Sequence, residues 1–216
     1  MGYKYEGFSK NLVFTLLSIT LLINSFNYID GIDGLLSGIT ITSLSYLTYL
    51  VFAVGDGDQN IIKLLLTVII AVSINLVFNF LPNKNKFKTF TGNAGSLFIG
   101  FFISFLIIFL YKYKGIHPAY LIWTCWYPVY DFLYVTLNRI KNNKKFFRPD
   151  KTHFHHKVLL LNKNSHLKSF LIISILNITI IIFGFFISIY FGKLYSLISY
   201  TILFFIFSVL RFKLLN

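Results

Sequence analysis

Asn24-Ser25-Phe26-Asn27-Tyr28-Ile29-Asp30-Gly31-Ile32-Asp33-Gly34-Leu35 is a polar break between two apolar stretches, 11–27 and 35–54. Each stretch is close to the roughly 20 residues that a helix needs to cross about 30 Å of hydrocarbon. Carboxylates and carboxamides are costly beside hydrocarbon. A cluster of them where one span ends and the next begins reads as a hairpin turn at a membrane face and, by default, as a functional site.

The rest of the chain fits that reading. With 56% hydrophobic, 19% aromatic and 12% charged residues in 216, a soluble surface cannot be covered, so the bilayer is the expected solvent. Further apolar stretches lie at 61–80, 94–111, 117–136, 168–190 and 194–212, giving about seven spans separated by clusters of Gly, Asp, Asn, Lys and Pro. The expected fold is an all-α, polytopic membrane helical bundle forming a single domain over 1–216. Met1 to Lys10 lacks a basic segment followed by a small-residue cleavage site, so no cleavable signal is expected. Cys125 is alone, which rules out an intrachain disulfide and reads as a buried thiol.

Alternating the sides places loops 28–34, 81–93 and 137–167 on one face and loops 55–60, 112–116 and 191–193 on the other. Most of the Lys and Arg residues fall on the first face, among them Lys84, Lys86, Lys88, Arg139, Arg148, Lys157 and Arg211. The positive-inside rule makes that face cytoplasmic, with the N-terminus outside and the C-terminus inside. An odd number of spans starting outside suggests that helices ahead of Met1 complete the bundle. The net charge of +13 has a plain source in this topology and in anionic lipid head groups. A sharper source is phosphate recognition by Arg148, Lys151 and Lys157, which flank three histidines. Nucleic acid is a poor partner, because the basic residues lie in short loops between spans.

In the first motif, Asp30 and Asp33 at i, i+3 share a face if the turn is helical, and two such carboxylates can hold Mg²⁺, accept hydrogen bonds from a base or sugar, or act as a general base. The plain alternative is a tight turn with Asp as cap and Gly supplying positive φ. Asn24 and Asn27, one turn earlier inside apolar sequence, go beyond what a turn requires. Asn75 and Asn79 at i, i+4 put two carboxamides on one helix face, where they can serve as glue between helices. Phe90-Thr91-Gly92-Asn93-Ala94-Gly95-Ser96 then opens a span, so backbone N–H groups and the positive helix end point to the motif face and favour a phosphate. An ordinary cap by Thr91 or Asn93 is the alternative. Gly38, Gly95, Gly100 and Gly184 are candidates for close helix contact.

Arg148-Pro149-Asp150-Lys151-Thr152-His153-Phe154-His155-His156-Lys157 holds three of the five histidines. A transition-metal site lacks nearby Cys or Glu to complete it, and imidazoles among cations suit anionic oxygens better. His117 and His166, lone and near span ends, are assigned to the interface.

These motifs, in this order, resemble the polyprenyl-phosphate N-acetylhexosamine-1-phosphate transferases (glycosyltransferase family 4). Asn-x-x-Asn-x-x-Asp-Gly-x-Asp-Gly-Leu, Phe-Asn-x-x-Pro and Pro-Asp-x-x-His-x-His-His carry the resemblance, which runs from about Asn24 to about Leu161. It implies transfer of a sugar-1-phosphate from a UDP-N-acetylhexosamine to undecaprenyl phosphate, with UMP released and Mg²⁺ (or Mn²⁺) used. That is an initiating step of O-antigen or cell-wall polysaccharide synthesis at the cytoplasmic face of a bacterial inner membrane. It also implies roles by position. Asn27, Asp30, Asp33, His155 and His156 fall at catalytic positions. Asn24, Gly31, Asn79, Phe90, Arg148, Lys151, His153 and Lys157 fall at substrate-binding positions, and Asp33 and Asn93 at metal-binding ones. A homodimer is a further implied partner state.

The chain departs from the family twice. It has no adjacent Asp pair, which relatives carry among earlier helices, and Asn93 stands where the family has a metal-ligating Asp. Asparagine offers a carbonyl oxygen without charge, a weaker ligand for a hard cation. The competing expectations are a non-catalytic relative that binds nucleotide sugar or lipid phosphate, and a transporter. Inverted repeats with broken midplane helices, which would favour transport, are not evident in the sequence.

Overall fold

The computed structural model describes residues 8–82, 84–143 and 153–215, and within them the structure is helical without strands. The helices are α1 (Phe8–Tyr28), α2 (Leu35–Ala53), α3 (Gln59–Asn79), α4 (Gly92–Lys114), α5 (Pro118–Leu121), α6 (Trp126–Lys141), α7 (Phe154–Leu161), α8 (His166–Tyr190) and α9 (Lys193–Leu215), with a 3₁₀ turn at Ile122–Cys125 before α6. Five of them, α2, α3, α4, α8 and α9, are long and apolar enough to cross a membrane, and α1 contributes a shorter apolar segment, Leu12–Tyr28. Large apolar side chains such as Ile70, Val77, Phe186 and Phe205 cover the outside, which is what a helical bundle dissolved in hydrocarbon presents.

The expected span 117–136 is not one helix. His117 caps α5 by accepting the Ala119 N–H at 3.1 Å, and Pro118 takes the first helical position, where its missing N–H costs nothing. Pro128 cannot donate to the Thr124 carbonyl one turn back. Ser43 Oγ on α2 donates to that oxygen instead, at 2.8 Å. Tyr46 Oη donates to the Tyr120 carbonyl at 3.0 Å, and Ser196 Oγ donates to that of Ala119 at 2.8 Å. Hydroxyls from neighbouring helices thus satisfy the backbone that the break frees, as irregular structure at membrane depth requires. The expected loop 137–167 is also corrected, because α6 continues to Lys141 and α7 occupies Phe154–Leu161.

Small residues set the helix spacing. A methyl group at Gly100 would come 2.7 Å from Ile23 Cα, so α1 and α4 touch backbone to backbone. Gly184 lies under the Trp123 ring and Gly38 under Phe170, whereas Gly95 faces Thr91, the residue that precedes its own helix. Trp123, Trp126, Tyr127 and Tyr130 are fully buried between α2, α8 and α9 and form the aromatic centre of the bundle.

The two sets of loops separate. At one end Lys114 Nζ on α4 bridges Asp56 Oδ2 at 2.8 Å and Asp58 Oδ2 at 2.6 Å, closing loops 55–60 and 112–116 over each other. The three motifs meet at the other end.

Candidate active site

The turn after α1 is built by its glycines. Gly34 adopts φ +77°, and a side chain there would strike the Phe80 ring 2.3 Å away. Its N–H donates to Asn79 Oδ1, while Asn79 Nδ2 donates to the Thr89 carbonyl at 2.7 Å. Asn79, expected beside the substrate, is buried and binds the Asp-Gly turn to the segment ahead of α4. Asn75 works alongside it, accepting from Ser37 Oγ at 3.0 Å and Thr91 Oγ1 at 3.4 Å. Thr91 precedes α4 without a side-chain cap bond to the helix.

That tie brings Lys88 onto the first motif. Lys88 Nζ pairs with Asp33 Oδ2 at 2.8 Å and lies 5.2 Å over the Phe90 ring, which is exposed. Asp33 N–H donates to His166 Nδ1 at 3.1 Å, and the same imidazole nitrogen is 3.6 Å from the Asp33 carboxylate. Asn27 Nδ2 donates to Ser96 Oγ at 2.7 Å, and Ser96 in turn donates to the Asn93 carbonyl at 3.1 Å. The first turn of α4 is thereby fixed to α1, with Asn93 exposed. Among the described residues Asn24 binds its own helix, at the Thr20 carbonyl.

The histidines close the site. A methyl group at Gly31 would lie 2.2 Å from His155 Nε2, and Tyr28 stacks on His153 with ring centres 5.1 Å apart. His153 Nδ1 is bound to Asp131 Oδ2 at 2.8 Å, and the Phe154 N–H donates to Asp131 Oδ1 at 2.9 Å. Arg211 of α9 donates to the same Oδ1. His155 is completely buried, and neither ring nitrogen has a hydrogen-bond partner among the described residues. His156 stands 4.2 Å from it, ring centre to ring centre, and Lys157 is half-buried one residue on. Arg148 and Lys151, also expected here, lie outside the described residues.

Burial sets the electrostatics. Asp30 keeps an exposed edge, yet partial burial of its carboxyl pushes it up to about 6 by desolvation. Burial, acting against the pull of the Asp131 carboxylate, pushes the His155 imidazole down to about 3, so it is neutral. The Asp-Gly turn thus carries a carboxyl that titrates near 6 and meets an uncharged imidazole at Gly31, groups suited to moving a proton or binding phosphate oxygens.

Among the described residues no three His, Cys, Asp or Glu side chains gather as a metal-holding set, and the Asp33 carboxylate already carries an ammonium ion. The described residues therefore form no preformed cage for a divalent ion. Asp30 and Asn93 are exposed at this end and can offer oxygens to an ion that arrives bound to phosphates.

Sequence reasoning missed four residues. Lys88 counted only as a loop charge and His166 as interfacial. Asp131 sat unremarked in an aromatic span, although a lone carboxylate at that depth is itself a signal. Arg211 counted only toward topology.

Residues 5–111 match the sequence profile of glycosyl transferase family 4. The chain is 35% identical over 164 residues to a probable undecaprenyl-phosphate N-acetylglucosaminyl 1-phosphate transferase of Bacillus subtilis (strain 168), a match covering 74% of this chain and 43% of that protein. It is 29% identical over 147 residues to the undecaprenyl-phosphate alpha-N-acetylglucosaminyl 1-phosphate transferase of Escherichia coli (strain K12), covering 67% of this chain and 40% of the relative. The Yersinia pestis protein of the same name is 29% identical over 151 residues, or 68% of this chain and 40% of its own. The chain thus spans less than half the length of these curated relatives. No solved structure matches it. With the Asp-Gly turn, the segment opening α4 and the described histidines converging at one end of a membrane helical bundle, residues 5–111 of this chain carry the sequence of glycosyl transferase family 4.

Proposed function

We propose that the chain takes part in transferring N-acetylhexosamine-1-phosphate from a UDP-sugar to undecaprenyl phosphate, releasing UMP, with the motif end facing the cytoplasm of a bacterial inner membrane. An oxygen of the lipid phosphate attacks the sugar-bearing phosphorus of the donor. The phosphorus–oxygen bond to the UMP phosphate breaks, and UMP departs. The observation that carries this reading is the convergence of Asp33–Lys88, Gly31–His155 and Tyr28–His153 at one end of the bundle.

Two phosphorylated anions must meet in this reaction, so positive charge and neutral hydrogen-bond donors are needed to offset their repulsion. Lys88 supplies a charge beside the exposed Phe90 ring, a platform on which a nucleobase can stack. His155 supplies a neutral ring whose two nitrogens no described residue engages. Mg²⁺, carried in by the donor's phosphates and met by Asp30 and Asn93, would screen the pyrophosphate charge. The wet end admits the nucleotide, while the apolar flanks suit a prenyl chain.

A second reading, binding of nucleotide sugar without turnover, is favoured by Asn93 in place of a carboxylate and by the ammonium ion already paired with Asp33. One assay separates them: Mg²⁺-dependent UMP release from UDP-N-acetylglucosamine and undecaprenyl phosphate by the purified chain, beside Asp33→Ala. Release that Asp33→Ala abolishes supports transfer. Binding of UDP-N-acetylglucosamine without release supports the second reading, and neither binding nor release removes both.

A further inference from the structure

Asp131 belongs to none of the sequence motifs, yet it is fully buried and joins its own helix to two others at once. From α6 its Oδ2 faces His153 Nδ1 at 2.8 Å, and its Oδ1 accepts the Phe154 N–H at the start of α7 at 2.9 Å. Arg211 Nη1 from α9 also donates to Oδ1. The guanidinium is itself buried and lies 4.1 Å over the Tyr134 ring, so it is held where it ion-pairs the carboxylate. His155 Nδ1 stands further off, 4.0 Å from Oδ2.

We propose that Asp131 is the positioning residue of the histidine loop, fixing His153 as the Nδ1–H tautomer so that Nε2 faces the site as an acceptor for an O–H group of the substrate. An ion-paired carboxylate can only accept, so the imidazole nitrogen against it must carry the proton. In the neutral ring the other nitrogen is bare, and no described residue hydrogen-bonds it. Tyr28 of the first motif stacks on the same ring, which fixes its plane relative to the Asp-Gly turn. A polar pair serving only to bind α6 to α9 would need neither the histidine nor that stacking.

The two carboxylate oxygens have different partners, and this makes the inference testable. In Asp131→Asn the single carbonyl oxygen stays with Phe154 N–H and Arg211, both obligate donors. The amide NH₂ is then turned onto His153 Nδ1 and reverses the tautomer, with little change in shape. The measurement is ¹⁵N NMR of histidine-labelled protein in nanodiscs at neutral pH, with the His153 signals assigned by their loss in His153→Gln. It is paired with UMP release from UDP-N-acetylglucosamine and undecaprenyl phosphate.

The expected result is protonated Nδ1 and bare Nε2 in the wild type, reversed in Asp131→Asn. In that variant kcat falls about 10²- to 10⁴-fold while KM for the UDP-sugar changes by less than about threefold. Protonated Nε2 in the wild type overturns the inference, and this result needs no variant to fold. Reversal without a fall in kcat also overturns it, as does a fall in kcat without reversal. The kinetic arm rests on the proposed transfer reaction. A wild type without turnover retires that reaction, while the nitrogen signals still decide whether Asp131 sets the ring.

Discussion

Asp33 and Lys88, 55 residues apart in the chain, form an ion pair at 2.8 Å in which the lysine side chain is only 6% exposed. The pair exists because Asn79 binds the Asp-Gly turn with one end of its amide and the segment carrying Lys88 with the other. The carboxylate that the family resemblance assigns to a metal is thus held by a cation of the chain itself.

Lys88→Met is expected to leave a half-buried carboxylate with His166 as its remaining partner. Losing one partner of such a pair costs about 1–3 kcal/mol, which thermal unfolding in detergent will read as a lower midpoint. UMP release is expected to fall at least about tenfold, because the donor phosphates lose a positive charge.

Gly31→Ala places a methyl group 2.2 Å from His155 Nε2, and His155 is packed on all sides. The imidazole or the turn must shift by about 1 Å, a displacement that can cost about 10²-fold in rate. The expected outcome is a loss of that order in kcat with the protein still folded, checked by circular dichroism beside the UMP assay. Wild-type kcat in this variant would remove the Gly31–His155 contact from the mechanism.

Asp30 is pushed up to about 6 from 3.8. UMP release that uses its carboxylate should rise as pH climbs through about 6, and Asp30→Asn should be slow and lack that rise. Stability runs the other way. The folded chain binds more protons than the unfolded chain between 3.8 and 6, so the Asp30 contribution to stability falls as pH rises across that window and stays constant above it. Urea titrations at pH 4 and pH 7, wild type against Asp30→Asn, measure this slope.

His155 is pushed down to about 3 from 6.5. Between those values the unfolded chain binds the extra proton, so stability is full above 6.5 and declines as pH falls toward 3. His155→Gln is expected to flatten that decline, read as the thermal midpoint from pH 7 to pH 4. An unchanged slope would mean that the imidazole reaches water.

Asn93→Asp adds a carboxylate on an exposed position in the first turn of α4. There the helix dipole favours negative charge by about 0.3–1 kcal/mol. Tighter Mg²⁺ dependence of UDP-N-acetylglucosamine binding is expected, measured by titration calorimetry with and without Mg²⁺. Mg²⁺ dependence equal to that of the wild type would show that the ion does not approach this turn.

The helices were legible because hydrocarbon imposes one rule along the whole chain: apolar runs of sufficient length become helices and polar breaks become their ends. That rule placed α2, α3, α4, α8 and α9 to within a few residues, and the order of polar breaks assigned the three motifs to one face. The same rule failed at 117–136, where Pro128 interrupts the helix and hydroxyls from α2 and α9 make the interruption tolerable.

Within the site, Asn27, Tyr28, Gly31, Asp33, Phe90, His153 and His155 of the motifs come together, but what each one touches was not readable. Whether Asn79 faces substrate or backbone depends on where Gly34 and Thr89 arrive, and these are set by helix packing. Lys88, His166, Asp131 and Arg211 carry no local pattern, since a charge in a loop and a charge in an aromatic span look the same whatever they later meet. Local sequence determined which segments span and which polar groups must leave the hydrocarbon. Only the tertiary structure decided the pairing of those groups, because an ion pair or an oriented imidazole is a relation between distant positions, settled when the helices close on one another.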